Sequence, residues 1–238
     1  MGNRLSIINS KEFHVEYPVK NGKSLYTTYI NLDHRTDRRQ EIESELNRMQ
    51  VVPYTRFSAI KHEKGMLGCT MSHIGALKKG LESGADHILI FEDDFQFTIE
   101  EPVLLHHILN SVMETNYDVF MLGYCFFFDR KEDSCIFKTD HGMFKKITKA
   151  ACAHGYMVKK EYVPKLLQNF ETSLRLRPKA KPGKESEFNN DDYWQRLQET
   201  DNWLCYNEPC GIQRSGLSDI CKIVKWNKKS DISKSLGK

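Results

Sequence analysis

The sequence predicts an α/β domain with a central, mostly parallel sheet covered by helices. Three observations carry that expectation. Strand-like and helix-like segments alternate through the first half of the 238-residue chain, the order expected of parallel strands joined by crossover helices. The strand segments are short apolar runs with little polar alternation, as in strands buried on both faces. One of these runs, Ile88-Leu89-Ile90-Phe91, ends abruptly in Glu92-Asp93-Asp94. Open α/β sheets bind ligands at such strand ends.

The elements follow in order. Residues 1–24 are mixed and polar, a lead-in with a peripheral strand at most. Tyr26 to Leu32 (YTTYINL) is β-rich and predicts the first core strand. Thr36 or Asp37 can cap a helix running through Met49, with Ile42, Leu46 and Met49 near helical spacing. Tyr54 to Ile60 predicts a second strand, after Pro53. A loop punctuated by Gly65 and Gly68 leads to Ser72, a plausible N-cap for a helix from His73 to Ser83, with Gly84 just past its end. After the acidic strand end, Glu100-Glu101-Pro102 opens another helix, with Pro near its first position and acids at the positive end of its dipole. Asp118 to Gly123 predicts a further buried strand, and Cys125 to Phe128 continues its apolar texture.

The second half reads differently. Lys131 to Met143 has the pattern of an insertion or hairpin, and Ala150 to Val158 that of a strand. Lys160 to Phe170 predicts a helix. A Pro/Lys-rich loop over 171–188 is a candidate mobile flap. Asn190 to Glu199 predicts a short helix and Trp203 to Tyr206 a short strand, and 211–220 is loop-like. The expected organisation is a lead-in (1–24), one domain (25–220) and a basic tail (221–238).

Composition narrows the function classes. Apolar residues are 39%, an ordinary globular share. The net charge of +3, from 35 basic and 32 acidic residues, is too balanced to argue for nucleic acid. The excess lies in the tail and in a cluster of Arg175, Arg177, Lys179, Lys181 and Lys184. Either is compatible with weak contact to phosphates or an anionic membrane surface, and both also read as solvated surface. Seven cysteines, odd in number and irregular in spacing, fit a reducing compartment better than a disulfide framework, with Cys69, Cys152 and Cys221 reading as buried thiols. No signal peptide or membrane span is expected, and a cytoplasmic setting follows unless the chain is a domain of something larger. Met1-Gly2-Asn3-Arg4-Leu5-Ser6 fits the loose myristoylation pattern.

Glu92, Asp93 and Asp94 are the strongest candidate site. Like charges raise one another's pKa, and a cation removes that cost. Hard divalent ions take oxygen ligands and share them with phosphates. Strand alternation favours Glu92 and Asp94 as the pair facing an ion, whereas a bend at the strand end would join Asp93 to Asp94. Asn31, Arg35 and Arg38 follow the first strand, where anions and nucleotides commonly bind, and arginine's planar fork suits a phosphate. Ser72 and His73 sit at a turn able to hold an anion or orient a hydroxyl. Cys69 beside them invites a Cys–His nucleophile, but nothing completes a triad. His154 lies in an apolar strand, as core or as ligand. Asp191 and Asp192 precede Tyr193 and Trp194, a pairing suited to sugar recognition and base catalysis or to an ordinary helix start.

Together these segments resemble glycosyltransferase family 25, which includes bacterial lipooligosaccharide galactosyltransferases and collagen hydroxylysine galactosyltransferases. The matching pieces are YINLDHRTDRR (29–39), GCTMSHIGAL (68–77), ILIFEDDFQF (88–97), HGYMVKKEYVPKLL (154–167), DDYW (191–194) and GIQRSGLSDI (211–220). The resemblance implies a GT-A-like, Rossmann-like nucleotide-sugar-binding fold. It implies Mn²⁺ or Mg²⁺ as cofactor, a UDP-sugar donor and inversion at the anomeric carbon. On this reading Glu92, Asp94 and His154 are metal candidates. Asn31, Arg35, Arg38, Ser72 and Asp93 contact the nucleotide. Asp191 is the first candidate for acceptor base, Asp192 the next, and His73 lies near the donor. Gln213 and Ser218 match the last motif without an assigned role. The acceptor would be a glycan or a hydroxylysine-type protein. Two rival readings are a degenerate transferase-like interaction domain and a metal-dependent phosphoester hydrolase. The second calls for more converging Asp and His ligands than the sequence offers.

Overall fold

A computed structural model describes residues 22–124, 138–220 and 224–225. The readings made for the lead-in, for Cys125–Phe128 and for nearly all of the basic tail lie outside the described residues. The first half runs β1 (Leu25–Asn31), α1 (Thr36–Arg48), β2 (Thr55–Ser58), α2 (Gly65–Glu82), β3 (His87–Glu92), β4 (Phe95–Phe97), α3 (Pro102–Met113) and β5 (Val119–Met121). Then follow β6 (Lys138–His141), β7 (Phe144–Lys146), β8 (Gly155–Lys159), α4 (Val163–Leu176), α5 (Asn190–Tyr193), α6 (Gln195–Gln198), β9 (Trp203–Tyr206), β10 (Gly211–Gln213), β11 (Gly216–Leu217) and β12 (Val224–Lys225).

The central sheet has eight strands in the order β2-β1-β3-β8-β5-β9-β7-β6. β1 pairs in parallel with β2 and β3, and β5 with β9. β8 runs against both β3 and β5. β7 runs against β9 and β6. Only β8 and β7 are therefore reversed, and the expected mostly parallel α/β sheet is present. The connections of β1 to β2 and β2 to β3 each contain a helix, as parallel neighbours require.

Alternation along β3 sorts the core into two layers. Leu89 and Phe91 join Ile42 and Leu46 of α1 and Leu105 and Ile108 of α3 on one face. Ile88 and Ile90 join Ile74 and Leu77 of α2 and Leu166 and Phe170 of α4 on the other. A strand buried on both faces has no polar alternation, which is why β3 reads as one apolar run. Each fully buried side chain of this kind contributes roughly 1.5–3 kcal/mol through burial.

Several elements differ from expectation. α2 begins at Gly65, so Ser72 is no N-cap and His73 lies in mid-helix. Its glycines serve packing: a Cβ on Gly68 would stand 2.5 Å from the carbonyl oxygen of Ile60. Gly84 does follow the helix with φ +79°, where a side chain would be strained. The strand expected from Ala150 is shortened to β8, because Cys152 adopts φ +75° and breaks the extended run. Cys152 is also disulfide-bonded, against its reading as a buried thiol. α4 continues to Leu176, so the loop expected from 171 starts as helix. Buried Ser173, hydrogen-bonded to the Phe188 carbonyl at 2.9 Å, and core-facing Leu174 extend its apolar face. Residues 211–220 are not wholly loop. β10 pairs with β4, and β11 with β12. Among the described residues no helix is long and apolar enough to cross a membrane.

Candidate active site

The ends of β1 and β3, the start of α2 and residues 213–220 surround a cavity of about 830 Å³. Glu92, Asp93 and Asp94 all line it, with Asn31, Arg38, Cys69, Ser72, His73, Gln213 and Asp219. A cavity of this size holds a ligand larger than a simple ion.

The three acids divide between two directions. Glu92 keeps the alternation of β3 and faces α2, where its Oε1 lies 3.1 Å from His73 Nε2. The chain then turns at Asp93 and Asp94. Arg38 Nη1 donates to Asp93 Oδ1 at 3.0 Å and to Asp94 Oδ2 at 3.3 Å. Asn31 Nδ2 donates to Asp93 Oδ2 at 2.8 Å, and Gln213 Nε2 to Asp94 Oδ2 at 3.0 Å. The bend therefore brings Asp93 and Asp94 to one guanidinium, that of Arg38, while Glu92, set by strand alternation beside His73, still acts on Asp94 through its charge.

Burial makes this arrangement costly in charge. It pushes the Asp94 carboxyl up to about 7, with the nearby Glu92 charge adding to the rise and Arg38 opposing it. Burial also raises Asp93, against the hydrogen bond from Asn31 and the charge of Arg38. One oxygen, Asp94 Oδ1, is buried with no hydrogen-bond partner among the described residues. A buried carboxylate oxygen without a donor, in a cluster where one arginine serves two acids, fits a bound hard cation.

The arginine loop is built differently from a simple phosphate cradle. Asn31 is buried and bonded at both ends of its amide: Nδ2 also reaches the Arg35 carbonyl at 3.0 Å, and Oδ1 accepts from Arg56 Nε at 3.0 Å. It thus locks the β1 end to the acidic turn. Arg35 is held by Asp37 at 2.8 Å and by Asp219, and is not among the cavity-lining residues. Arg38 Nη2 donates to the Leu217 carbonyl at 2.7 Å. Through these contacts α1 holds residues 217–219 at the cavity rim.

Ser72 also faces the cavity and fixes its wall. Its hydroxyl donates to the Gly68 carbonyl at 2.7 Å and accepts from the Ile60 amide at 2.8 Å. His73 is buried between Glu92 and the Tyr156 hydroxyl, 3.1 Å from Nδ1. Tyr156 is fully buried, and its phenol is held well above its usual range by that burial.

The remaining candidates are scattered more widely. Asp191 accepts a hydrogen bond from the Cys152 amide at 3.1 Å. Burial raises its carboxyl; the Glu92 charge adds to this and His73 opposes it, so Asp191 feels the same cluster. Asp192 instead accepts from Asn189 at 3.2 Å and Gln195 at 3.4 Å on its own helical segment. His154 is buried against Phe95, ring centroids 5.7 Å apart, and is not among the cavity-lining residues. Its carbonyl accepts from the Glu92 amide at 2.9 Å, so its backbone braces the acidic end. Three contributors had no sequence-based role: Tyr156 on His73, Gln213 on Asp94, and Asp219 on Arg35. All three lie in the matching segments 154–167 and 211–220, but only Gln213 is singled out there.

Residues 63–177 match the family model of glycosyltransferase family 25, described as an LPS biosynthesis protein. No curated protein matches. Among solved structures the chain is similar to A197 from STIV, at 13% identity and a TM-score of 0.42, over 87% of this chain and 95% of that one. It is similar to mannose-1-phosphate geranyltransferase from Thermus thermophilus, at 9% and 0.45, over 77% and 73%. A third is a glycosyltransferase involved in the glycosylation of the major capsid of PBCV-1, at 8% and 0.41, over 77% and 92%. Residues 63–177, which carry the Ser72–His73 helix, the acidic strand end and β8, are thus similar to glycosyltransferase family 25, and they lie within a mixed α/β fold built on a mostly parallel sheet.

Proposed function

We propose that the protein is an inverting, metal-dependent transferase moving a hexose, galactose or glucose, from a UDP-sugar to a hydroxyl of a glycan or hydroxylysine-type acceptor. The observation that carries this reading is the acidic turn in the cavity: three carboxylates, one arginine shared by two of them, and one buried oxygen with no donor among the described residues.

Asp94 and Glu92 are the residues that would hold Mn²⁺ or Mg²⁺, and the ion when bound would neutralise charge on the departing diphosphate. Asp93, fixed by Asn31 and Arg38, offers its acceptor edge at the nucleotide end of the cavity. Ser72 and His73 form the wall beside it. The acceptor oxygen attacks the anomeric carbon from the face opposite the diphosphate. The bond from that carbon to the phosphate oxygen breaks with its electron pair going to the diphosphate. Asp191 takes the acceptor hydroxyl's proton, a role helped by burial, which makes its carboxylate a stronger base.

A panel of UDP-sugars with Mn²⁺ tests the reading. Expected are binding of one hexose donor, release of UDP, and loss of donor binding in Asp94→Ala. The reading fails if no donor binds or is turned over, or if the product is free phosphate, which would point to a phosphoester hydrolase.

A further inference from the structure

We infer that Cys69, His73 and Glu92 form a second cation site, one that takes a zinc-class ion through a thiolate. Helix geometry puts Cys69 and His73 four residues apart on one face of α2. The end of β3 brings Glu92 opposite them. Glu92 Oε1 lies 3.1 Å from His73 Nε2 and 3.9 Å from Cys69 Sγ. One ligand atom from each residue lies within 4.8 Å of the others. Zn–S of about 2.3 Å and Zn–N or Zn–O of about 2.0–2.2 Å put tetrahedral ligands roughly 3.3–3.7 Å apart. Small side-chain adjustments therefore suffice.

The surroundings are those of a built metal site. Metal-bound histidines usually have their second nitrogen hydrogen-bonded, which fixes the ring. Here Nδ1 of His73 meets the buried Tyr156 hydroxyl at 3.1 Å. The histidine is buried, while Cys69 and Glu92 are partly exposed and line the cavity. Three protein ligands with a cavity on the fourth side is the pattern of a zinc site with an open position. That position would accept an oxygen of whatever occupies the cavity.

Thiolate and imidazole favour zinc-class ions, whereas carboxylate pairs such as Glu92 with Asp94 suit Mg²⁺ and Mn²⁺. The two sites share Glu92, so a zinc-class ion draws that carboxylate towards α2. The site borrows Glu92 and His73 from the cavity of the proposed transfer reaction, but its test reads cobalt binding and thiol protection, with no sugar donor present.

Cobalt titration of the purified protein tests it directly. The expected result is a thiolate-to-cobalt charge-transfer band with tetrahedral ligand-field bands, displaced by Zn²⁺ and not by excess Mg²⁺. Cys69→Ser should lose the charge-transfer band. In the unaltered protein, Zn²⁺ should protect Cys69 from alkylation, read by peptide mass spectrometry, so the answer does not depend on the variant folding. The proposal is overturned if no thiolate band forms, if the band survives in Cys69→Ser, or if Zn²⁺ leaves Cys69 alkylation unchanged.

Discussion

Arg38 reaches Asp93 at 3.0 Å while its side chain and that of Asp93 are each only 12% exposed. The same nitrogen serves Asp94 at 3.3 Å. One guanidinium on α1 thus offsets two carboxylates on the β3–β4 turn. Removing it leaves both acids buried without their cation. Arg38→Met is expected to destabilise the metal-free protein by about 3–5 kcal/mol at neutral pH, the usual cost of breaking a buried pair. Urea unfolding at pH 8 and pH 5 checks this. The loss should shrink at pH 5, where the acids can protonate, and an equal loss at both would show that Arg38 acts by packing alone.

The Asp94 carboxyl provides a second prediction. Its folded value is raised from 3.8 to about 7, chiefly by burial and then by the Glu92 charge. A raised folded value means that the folded state binds the proton more tightly. Its stabilising contribution is then complete below about pH 4 and is lost as pH rises through 7. The metal-free protein should melt at a lower temperature at pH 8 than at pH 5. Asp94→Asn should flatten much of that slope. Asp93 and Asp191, also raised by burial, keep the remainder. Mn²⁺ should restore the pH 8 melting temperature of the unaltered protein and leave that of Asp94→Asn unmoved. Thermal scans in both buffers decide it.

Ser72 offers a structural prediction with a functional reading. Its hydroxyl is the hydrogen-bond partner of the Ile60 amide, and Ile60 lines the cavity. Ser72→Ala leaves a backbone donor without its partner, at a cost of about 1–3 kcal/mol. Gly68→Ala acts on the same contact from the other side, since its new methyl would press on the Ile60 carbonyl. Overpacking of that kind costs typically about 1–3 kcal/mol. Both variants should loosen the 60–63 wall and raise KM for the donor more than they lower kcat. Steady-state kinetics with donor varied would show this, and a pure kcat effect would place Ser72 at the reacting atoms instead.

The sequence made the layers legible because they rest on local patterns. The apolar run of β3 announces burial on both faces, and Ile42, Leu46 and Met49 announce the inner side of α1. Joint motifs also placed Asn31, Arg38, Ser72, His73 and the three acids around one cavity. What stayed hidden depends on packing between distant segments. Gly65 and Gly68 look like loop punctuation, yet they are helical, and their missing Cβ is what lets Ile220 and Ile60 approach closely. The pairing of Asp93 with Asp94 follows from a turn that strand alternation cannot foresee. Tyr156 meets His73 across 83 residues, and Asp219 meets Arg35 across 184. No short-range pattern encodes either contact. The helical length of α4 was likewise obscured by the Pro/Lys-rich texture that follows it.

Asp191 is the residue on which the proposed chemistry turns. Burial raises its carboxyl, and the Cys152 amide holds one oxygen in place. A base with a raised value must still lose its proton before it can act. The acid limb of kcat should therefore fall at a pH above the usual aspartate range. Asp191→Asn keeps the side-chain shape and removes the base. It should lower kcat by about 10²–10⁴-fold, the usual contribution of a positioned general base, with little change in donor affinity. Asp192→Asn, whose side chain is engaged by Asn189 and Gln195, should keep most of the activity. Turnover and donor binding of the two variants across pH separate the roles. A large loss confined to Asp192→Asn would transfer the base to that residue, and an Asp191→Asn variant with full kcat would remove Asp191 from the chemistry.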